Sequence, residues 1–453
     1  MSRAPRRPPL RVPFALLTLL SVAGGASPVA GQERRSSGTG AEVAVDSLRL
    51  PPLIDEALAR NPNLLALRAA ADAAGARVGE RGTMPDPVLQ VGAMNVGLPD
   101  FDVGMPASMV PTIQLSQTFP AFGTRGLQEE VAEAEAVAMG LEVSEAAWRL
   151  RAQVSSEFHA LYALDRTLEV HRRTLELLED FQSVARSLYA SGTGRQGDVL
   201  RADVEVARMD AEIRRVEAVR AARAATLNAL LDRPGESPVP PAALPSLPAD
   251  VPTGDSLIAW AARDRPALAR ERAAAEGARS AVELADRARW PDFTVSAQYG
   301  HRGGSDPRHM GGLMLGASLP IHSGSRQGAF LEAARADARG AEARVTARRA
   351  AVEAEVRTLL AELDRARNLL SLYRDEILPV ARVNVASSLA SYRVGSVDFS
   401  TLVDAQLDVD RYEIEYHTLE ADYGTAVARL ESASGRLLPP SRTLPTGFDP
   451  EVP

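Results

Sequence analysis

Apolar residues recur along this chain in two rhythms, and the switch between them marks its elements. After Gln327, the positions Val352, Val356, Leu359, Leu363, Ala366, Leu370, Tyr373, Ile377 and Val380 alternate in steps of four and three. A seam with that period runs down one side of a helix and favours supercoiled helix–helix packing. Pro379 lies inside the seam, where a proline kinks a helix or shifts its hydrogen bonding. The same steps resume through Leu402, Ala405, Val409, Tyr412, Tyr416, Leu419, Tyr423, Ala426 and Leu430. A looser seam runs through Val154, Phe158, Leu161, Leu164, Leu168, Leu175 and Leu178, and then from Val199 to Val216. As one helix, the stretch from about Gly324 to Ser391 would measure about 100 Å. That length suits a filament or the wall of something tall.

The second rhythm has period two. Phe293, Val295, Ala297 and Tyr299 alternate with Thr294, Ser296, Gln298 and Gly300, and Leu313, Leu315, Ala317 and Leu319 alternate with Met314, Gly316 and Ser318. Ile113, Leu115, Gln117 and Phe119 alternate with polar neighbours in the same way, and the run from Val88 to Val96 is less regular. Strands are therefore predicted at about 87–97, 110–119, 291–301 and 311–320, joined by loops over Gly97 to Pro111 and His301 to Gly312. Each has one apolar and one small or polar face, the pattern of a transmembrane strand. A soluble sheet with one face on a core reads the same way. Four strands cannot close a barrel, and open edges are not tolerated in lipid. A membrane reading thus requires other copies, three of which supply twelve strands.

The chain is also written twice. Ala59-Arg60-Asn61-Pro62 returns as Arg263-Asp264-Arg265-Pro266, Met84-Pro85-Asp86 as Trp290-Pro291-Asp292, and Thr118-Phe119-Pro120 as Ser318-Leu319-Pro320. Tyr189-x-x-Gly192 returns as Tyr392-x-x-Gly395, with Ala202 and Arg208 matching Ala405 and Arg411 in register. The reading is a first repeat over 51–233, a Pro-rich linker over 234–252, a second repeat over 253–436 and a tail over 437–453. Each repeat is a helix, a β-hairpin, a very long helix and a further helix. The fold class is mostly α with a small β portion.

Composition narrows the function. Apolar residues make up 45% and aromatics only 5%, which suits closely packed helices. The net charge of -8 offers no basic footprint for nucleic acid. With no cysteine, disulfides, thiolate metal sites and thiol nucleophiles are excluded. Arg3, Arg6, Arg7 and Arg11 precede the apolar run Val12 to Ala23 and then small residues, the grammar of a secretory signal over 1–31, followed by a flexible segment over 32–50. No later segment has the roughly 20 apolar residues of a transmembrane helix. The Gly-rich stretch Gly324 to Gly328 lacks the lysine of a phosphate loop. No Ser/His/Asp or paired-carboxylate arrangement stands out, so no enzyme, catalytic residue or cofactor is expected.

With these residues in view, the chain resembles the TolC-type outer-membrane efflux proteins from about Leu53 to Gly435. The likeness rests on Ala57-Leu58-Ala59-Arg60-Asn61-Pro62, Met84-Pro85-Asp86-Pro87, Gln114-Leu115-Ser116-Gln117-Thr118-Phe119-Pro120 and the duplicated Tyr-x-x-Gly. It implies a homotrimer, with a twelve-stranded barrel in the outer membrane continued by a twelve-helix tube across the periplasm. It also implies passive export, driven by an inner-membrane transporter through a periplasmic adaptor. Phe119-Pro120 with Gly123-x-Arg125-Gly126-Leu127 is similar to the heavy-metal and cation branch; the drug-export branch stays open. Many relatives carry a lipidated N-terminal cysteine, and this chain departs from them. A periplasmic coiled-coil adaptor or scaffold without a pore is the alternative reading, and a secreted hydrolase a third.

In that family the helix–turn–helix tips form the periplasmic mouth. The resemblance makes Tyr189, Gly192, Tyr392 and Gly395 adaptor-contacting tip residues. It makes Asp198 and Asp404 aperture carboxylates, with Thr401 where some relatives place a further Asp. Three copies of one Asp about an axis would focus a negative potential favouring cations. The plainer readings are helix N-capping for Asp198 and a solvated helix-face charge for Asp404. His301, His309 and Met310 share one predicted loop, and with no repeated ligand spacing they read as solvated rather than metal-binding. His159 and His171 read as ordinary residues of a long helix.

Overall fold

The computed structural model describes residues 47–103, 108–302 and 308–439. The expected signal over 1–31 lies outside the described residues, as do most of the segment after it and most of the tail. Among the described residues, no helix is long and apolar enough to cross a membrane.

Each repeat opens with a short helix, α1 (Leu50–Arg60) or α5 (Gly254–Asp264), and a second helix, α2 (Pro62–Gly82) or α6 (Pro266–Arg287). The repeated residue-plus-proline motif makes the break between them. The residue before a proline is steered out of the helical region, and proline is at home as the first helical residue. Asn61 is buried at that break and caps α2, its Oδ1 accepting from Asn63 N at 3.1 Å and Leu64 N at 3.2 Å. Its counterpart Arg265 is buried as well.

A hairpin follows, β1 (Val88–Met94) with β2 (Met109–Phe119) in the first repeat and β3 (Phe293–Arg302) with β4 (Arg308–Ala317) in the second. Next come the long helices, α3 (Thr124–Ala190) and the run of α7 (Gly328–Leu372) into α8 (Leu378–Arg393), and lastly α4 (Gln196–Leu230) and α9 (Phe399–Ser434). The 67 residues of α3 span about 100 Å. The second long helix carries a π turn at Tyr373–Ile377. This is the expected shift of hydrogen bonding: one widened turn absorbs the missing N–H of Pro379.

Near the sheet, α2, α3, α6 and α7 pack side by side in that order; farther on, α4 packs on α3, α3 on α9, and α9 on α7 and α8. The chain is thus four columns wide. Two columns are single long helices, and two are shorter helices placed end to end. The segment 234–252, read as a linker, is packed at the joint: Leu247 is buried, and Tyr423 OH donates to Pro248 O at 2.6 Å.

The strands continue the columns, giving one antiparallel sheet in the order β1-β2-β3-β4. Register assigns its two faces. Leu89, Leu115, Ala297 and Leu313 form one cross-strand row, and Val91, Ile113, Tyr299 and Gly311 another. The alternate rows hold Gln90, Gln114, Gln298 and Gly312, and then Gly92, Thr112, Gly300 and Met310. The apolar face is the bare one, with Leu313 73% and Leu315 79% exposed, whereas Thr112 and Ser296 on the polar face are buried. Every residue of the edge strands β1 and β4 is exposed. The irregularity expected near Val88 to Val96 is a register shift between Gly92 and Met94.

The loop assigned to His301, His309 and Met310 is corrected: β3 runs to Arg302 and β4 begins at Arg308, so all three residues are in strands. Ladder hydrogen bonding carries the strands past the last apolar residues, where alternation gives no sign of it.

His159 and His171 are core residues, 2% and 8% exposed. His171 Nδ1 lies 3.1 Å from Asp410 Oδ1, joining α3 to α9. His159 faces Gly424 so closely that a Cβ there would lie 2.3 Å from its ring, and among the described residues its Nδ1 has no hydrogen-bond partner. Burial pulls the His159 pKa down from 6.5 to about 4. The unfolded chain then takes up a proton below pH 6.5 that the native chain refuses until about pH 4, so stability falls as pH drops through that window. Taking the protein from about pH 7.5 to about pH 5 should cost about 2 kcal/mol through this group. Denaturant midpoints across that range, compared with those of His159→Phe, measure it; equal slopes would refute it.

Candidate functional site: the helical tips

Both coils end in tight turns. Gly192 and Gly395 have φ of +76° and +74°, a left-handed conformation that glycine adopts without strain. Each amide folds back, Gly192 N to Tyr189 O and Gly395 N to Tyr392 O, both at 3.0 Å. The left-handed turn accounts for the glycine of the repeated Tyr-x-x-Gly motif, whereas the tyrosines lend these bonds only their backbone carbonyls.

The tips of the two repeats face one another. Tyr392 OH donates to Asp198 Oδ2 at 3.4 Å. Tyr392 is 5% exposed and packs edge-on against Phe399 at 5.3 Å. Burial, reinforced by the Asp198 carboxylate, pushes its pKa up to about 12, so it stays a donor. Two ion pairs flank this bond: Arg195 Nη1 to Asp398 Oδ1 at 3.0 Å and Arg201 Nη2 to Asp404 Oδ1 at 3.2 Å. A cavity of about 380 Å³ lies between the tips, lined by Leu188, Arg195, Asp198, Tyr392 and Asp398.

Each ion pair joins positions 203 residues apart, the separation of Gly192 from Gly395. Arg195 and Asp398 are therefore equivalent positions in the two repeats, as are Arg201 and Asp404. The duplication has placed opposite charges at matching sites. In the same frame the equivalent of Asp198 is Thr401, which is exposed and whose N–H bonds Asp398 O at 3.0 Å.

Of the expected site residues, Asp198 and Tyr392 are brought together. Asp404 is 65% exposed yet paired, and Thr401 is exposed. The capping reading of Asp198 is corrected: the N-cap of α4 is Arg195, and Asp198 lies in the first turn with its carboxylate turned to Tyr392. The two tyrosines differ, Tyr189 being 50% exposed and Tyr392 buried. Arg195, Arg201 and Asp398 were not among the expected residues. The signal that finds them is charge reversal at the repeat separation.

Among the described residues, no group of three or more His, Cys, Asp or Glu could hold a metal ion.

Long paired helices running into a four-stranded sheet, written twice and left open at both edges, define the class: a duplicated helical stave tipped with β-ribbon. The outer membrane efflux protein family matches residues 53–233 and 257–436, and the chain belongs to that family. Among solved structures, it is similar to the outer-membrane channel OprN, with a TM-score of 0.75 and 19% identity over 85% of this chain and 89% of that one. It is similar to VceC from Vibrio cholerae, with a TM-score of 0.72 and 18% identity over 86% and 96%. CusC, described in connection with transmembrane channel formation, gives a TM-score of 0.73 and 16% identity over 88% and 95%. At these identities the likeness is one of fold. No curated protein matches the chain.

Proposed function

We propose that three copies of this chain close into an outer-membrane efflux channel, with a twelve-stranded barrel in the bilayer and a twelve-column helical tube below it. The observation that carries the reading is the sheet: a bare apolar face, a polar inner face and two unpaired edges on columns about 100 Å long. Lipid requires such edges to be paired, and identical copies pair them by closing a ring. A periplasmic adaptor without a pore has no use for an outward apolar sheet. In this account the N-terminus directs export, and the chain works with a periplasmic adaptor and an inner-membrane transporter. Transport is passive, of metal cations or small toxic compounds, and the Phe119-Pro120 region favours the cations.

The tips are the aperture. The turns that follow Tyr189 and Tyr392 differ in what they hold, and the bond from Tyr392 to Asp198, with the pairs Arg195–Asp398 and Arg201–Asp404, ties one coil pair to the other. Opening requires the pairs to part, after which Asp198 and Asp404 are free to attract cations. Tyr189, Gly192 and Gly395 form the end that an adaptor would meet.

Purified protein in planar bilayers tests this. Tyr392→Phe and Asp198→Ala should each raise the open-to-closed ratio, on the order of tenfold for loss of a hydrogen bond to a charged group. Asp404→Ala should also open the channel and lower its cation preference. Wild-type protein that never conducts would refute the channel, whereas conduction with unchanged gating in all three variants would remove the tips from the mechanism.

A further inference from the structure

The distal end of the sheet holds a pair of histidines that the channel reading does not use. His301 on β3 and His309 on β4 are directly opposed in register, with ring centroids 5.2 Å apart. Two imidazoles sharing one ion at metal–nitrogen distances near 2.0–2.1 Å, at a tetrahedral angle, place their ring centres about 5 Å apart. The rings therefore already have the spacing of a chelate. Tyr299, two residues before His301 on the same face, hydrogen-bonds His309 Nδ1 through its hydroxyl and stacks on that ring with centroids 5.7 Å apart. A second group holding one ring nitrogen is what usually orients a metal-binding imidazole and leaves the other nitrogen for the ion.

Neighbouring charge does not oppose this. Arg302 and Arg308 form the next cross-strand pair, and alternation along the strands turns them to the opposite face. Met310 is turned away for the same reason, in a row with Gly300. The ligands left on the outward face are the two imidazoles, with Tyr299 holding one of them from behind, and imidazole suits borderline divalent ions such as Cu(II), Ni(II) or Zn(II).

We propose that the cross-strand pair His301 and His309, oriented by Tyr299, is a transition-metal site on the outer face of the β3–β4 hairpin. With two imidazoles and open positions for water, it holds its ion exchangeably. The ion joins the two strands at the end of the sheet farthest from the helices, and it does so outside the barrel rather than along the transport path. Its place outside the barrel rests on the proposed channel, whereas the site itself follows from the hairpin alone.

The test is a titration of tag-free, full-length protein in detergent with Cu(II) chloride, followed by calorimetry and electron paramagnetic resonance. Wild type should bind one Cu(II) per chain with coupling to two imidazole nitrogens. His301→Ala and His309→Ala should each weaken binding at least tenfold and remove one nitrogen. Tyr299→Phe should keep both nitrogens and bind several-fold more weakly. Unchanged circular dichroism and oligomer mass identify the variants as folded. A wild-type spectrum without imidazole nitrogen, or equal binding by the His301→Ala/His309→Ala double variant, would reduce the three rings to an interfacial aromatic cluster and overturn the proposal.

Discussion

Leu313→Arg is expected to cost about 3 kcal/mol per chain when the protein folds into a bilayer, and almost nothing in water. Leu313 is mid-strand on β4, 73% exposed, in the apolar row with Leu89, Leu115 and Ala297. In a soluble sheet, so exposed a side chain could be replaced by arginine with little effect. Facing hydrocarbon, the guanidinium must be desolvated or drawn toward the interface. Gln114→Arg, one position away on β2 and on the polar face, is the control and should fold into lipid nearly as well as wild type. Urea-dependent folding into liposomes measures both. Equal stabilities for the two variants would mean that the apolar face does not meet lipid.

Arg265→Ala is expected to destabilise the protein by about 3 kcal/mol, because it empties a buried guanidinium site and leaves the largely covered Glu145 without its counter-charge. Arg265 is 7% exposed at the break between α5 and α6. Its Nη1 lies 2.6 Å from Glu355 Oε2 on α7 and its Nη2 3.5 Å from Glu145 Oε1 on α3. Glu355 is 45% exposed, so water screens that pair and its share is small. Glu145 is the costly partner: it is 14% exposed and also accepts from Ala267 N at 3.1 Å. Arg265→Ala/Glu145→Gln should therefore recover much of the loss. Chemical denaturation of the two variants decides it, and a single variant as stable as wild type would show that the pair carries no weight.

Much of the fold was legible because burial follows period. Val352, Val356, Leu359, Leu363, Ala366 and Leu370, picked out by heptad steps alone, are all buried, whereas Tyr373 and Ile377 are half-buried and Val380, past the π turn that shifts the phase of the helix, is 70% exposed. The alternation of Phe293 to Gly300 sorts those residues onto the two faces that register assigns. The hairpin ends of β2 and β3 fall within a residue of expectation, but the start of β4 was not legible, because arginine, histidine and glycine carry no alternation and only the ladder extends the strand over them. The tip contacts were hidden for a different reason. Nothing local distinguishes Tyr189 from Tyr392; the difference is that Phe399 and Asp198 close over the second. Arg195 and Arg201 read as ordinary helix-face charges until laid over Asp398 and Asp404.

The duplication also supplies the most direct test of the assembly. Within the chain, Asp292 Oδ1 accepts from Ala121 N at 2.8 Å, fastening the start of β3 to the end of β2. Their equivalents, Asp86 and Ile321, lie on opposite edges of the same sheet, three strand spacings or roughly 14 Å apart. That gap is beyond a disulfide within one chain; it closes only when the β1 edge of one copy meets the β4 edge of the next. The natural chain has no cysteine, so Asp86→Cys/Ile321→Cys introduces the only two thiols. Oxidised in outer-membrane fractions and run under denaturing conditions, this variant should give a covalent ladder that ends at three chains. A product that stays monomeric under oxidation, from protein that fractionates as soluble, would contradict the closed barrel.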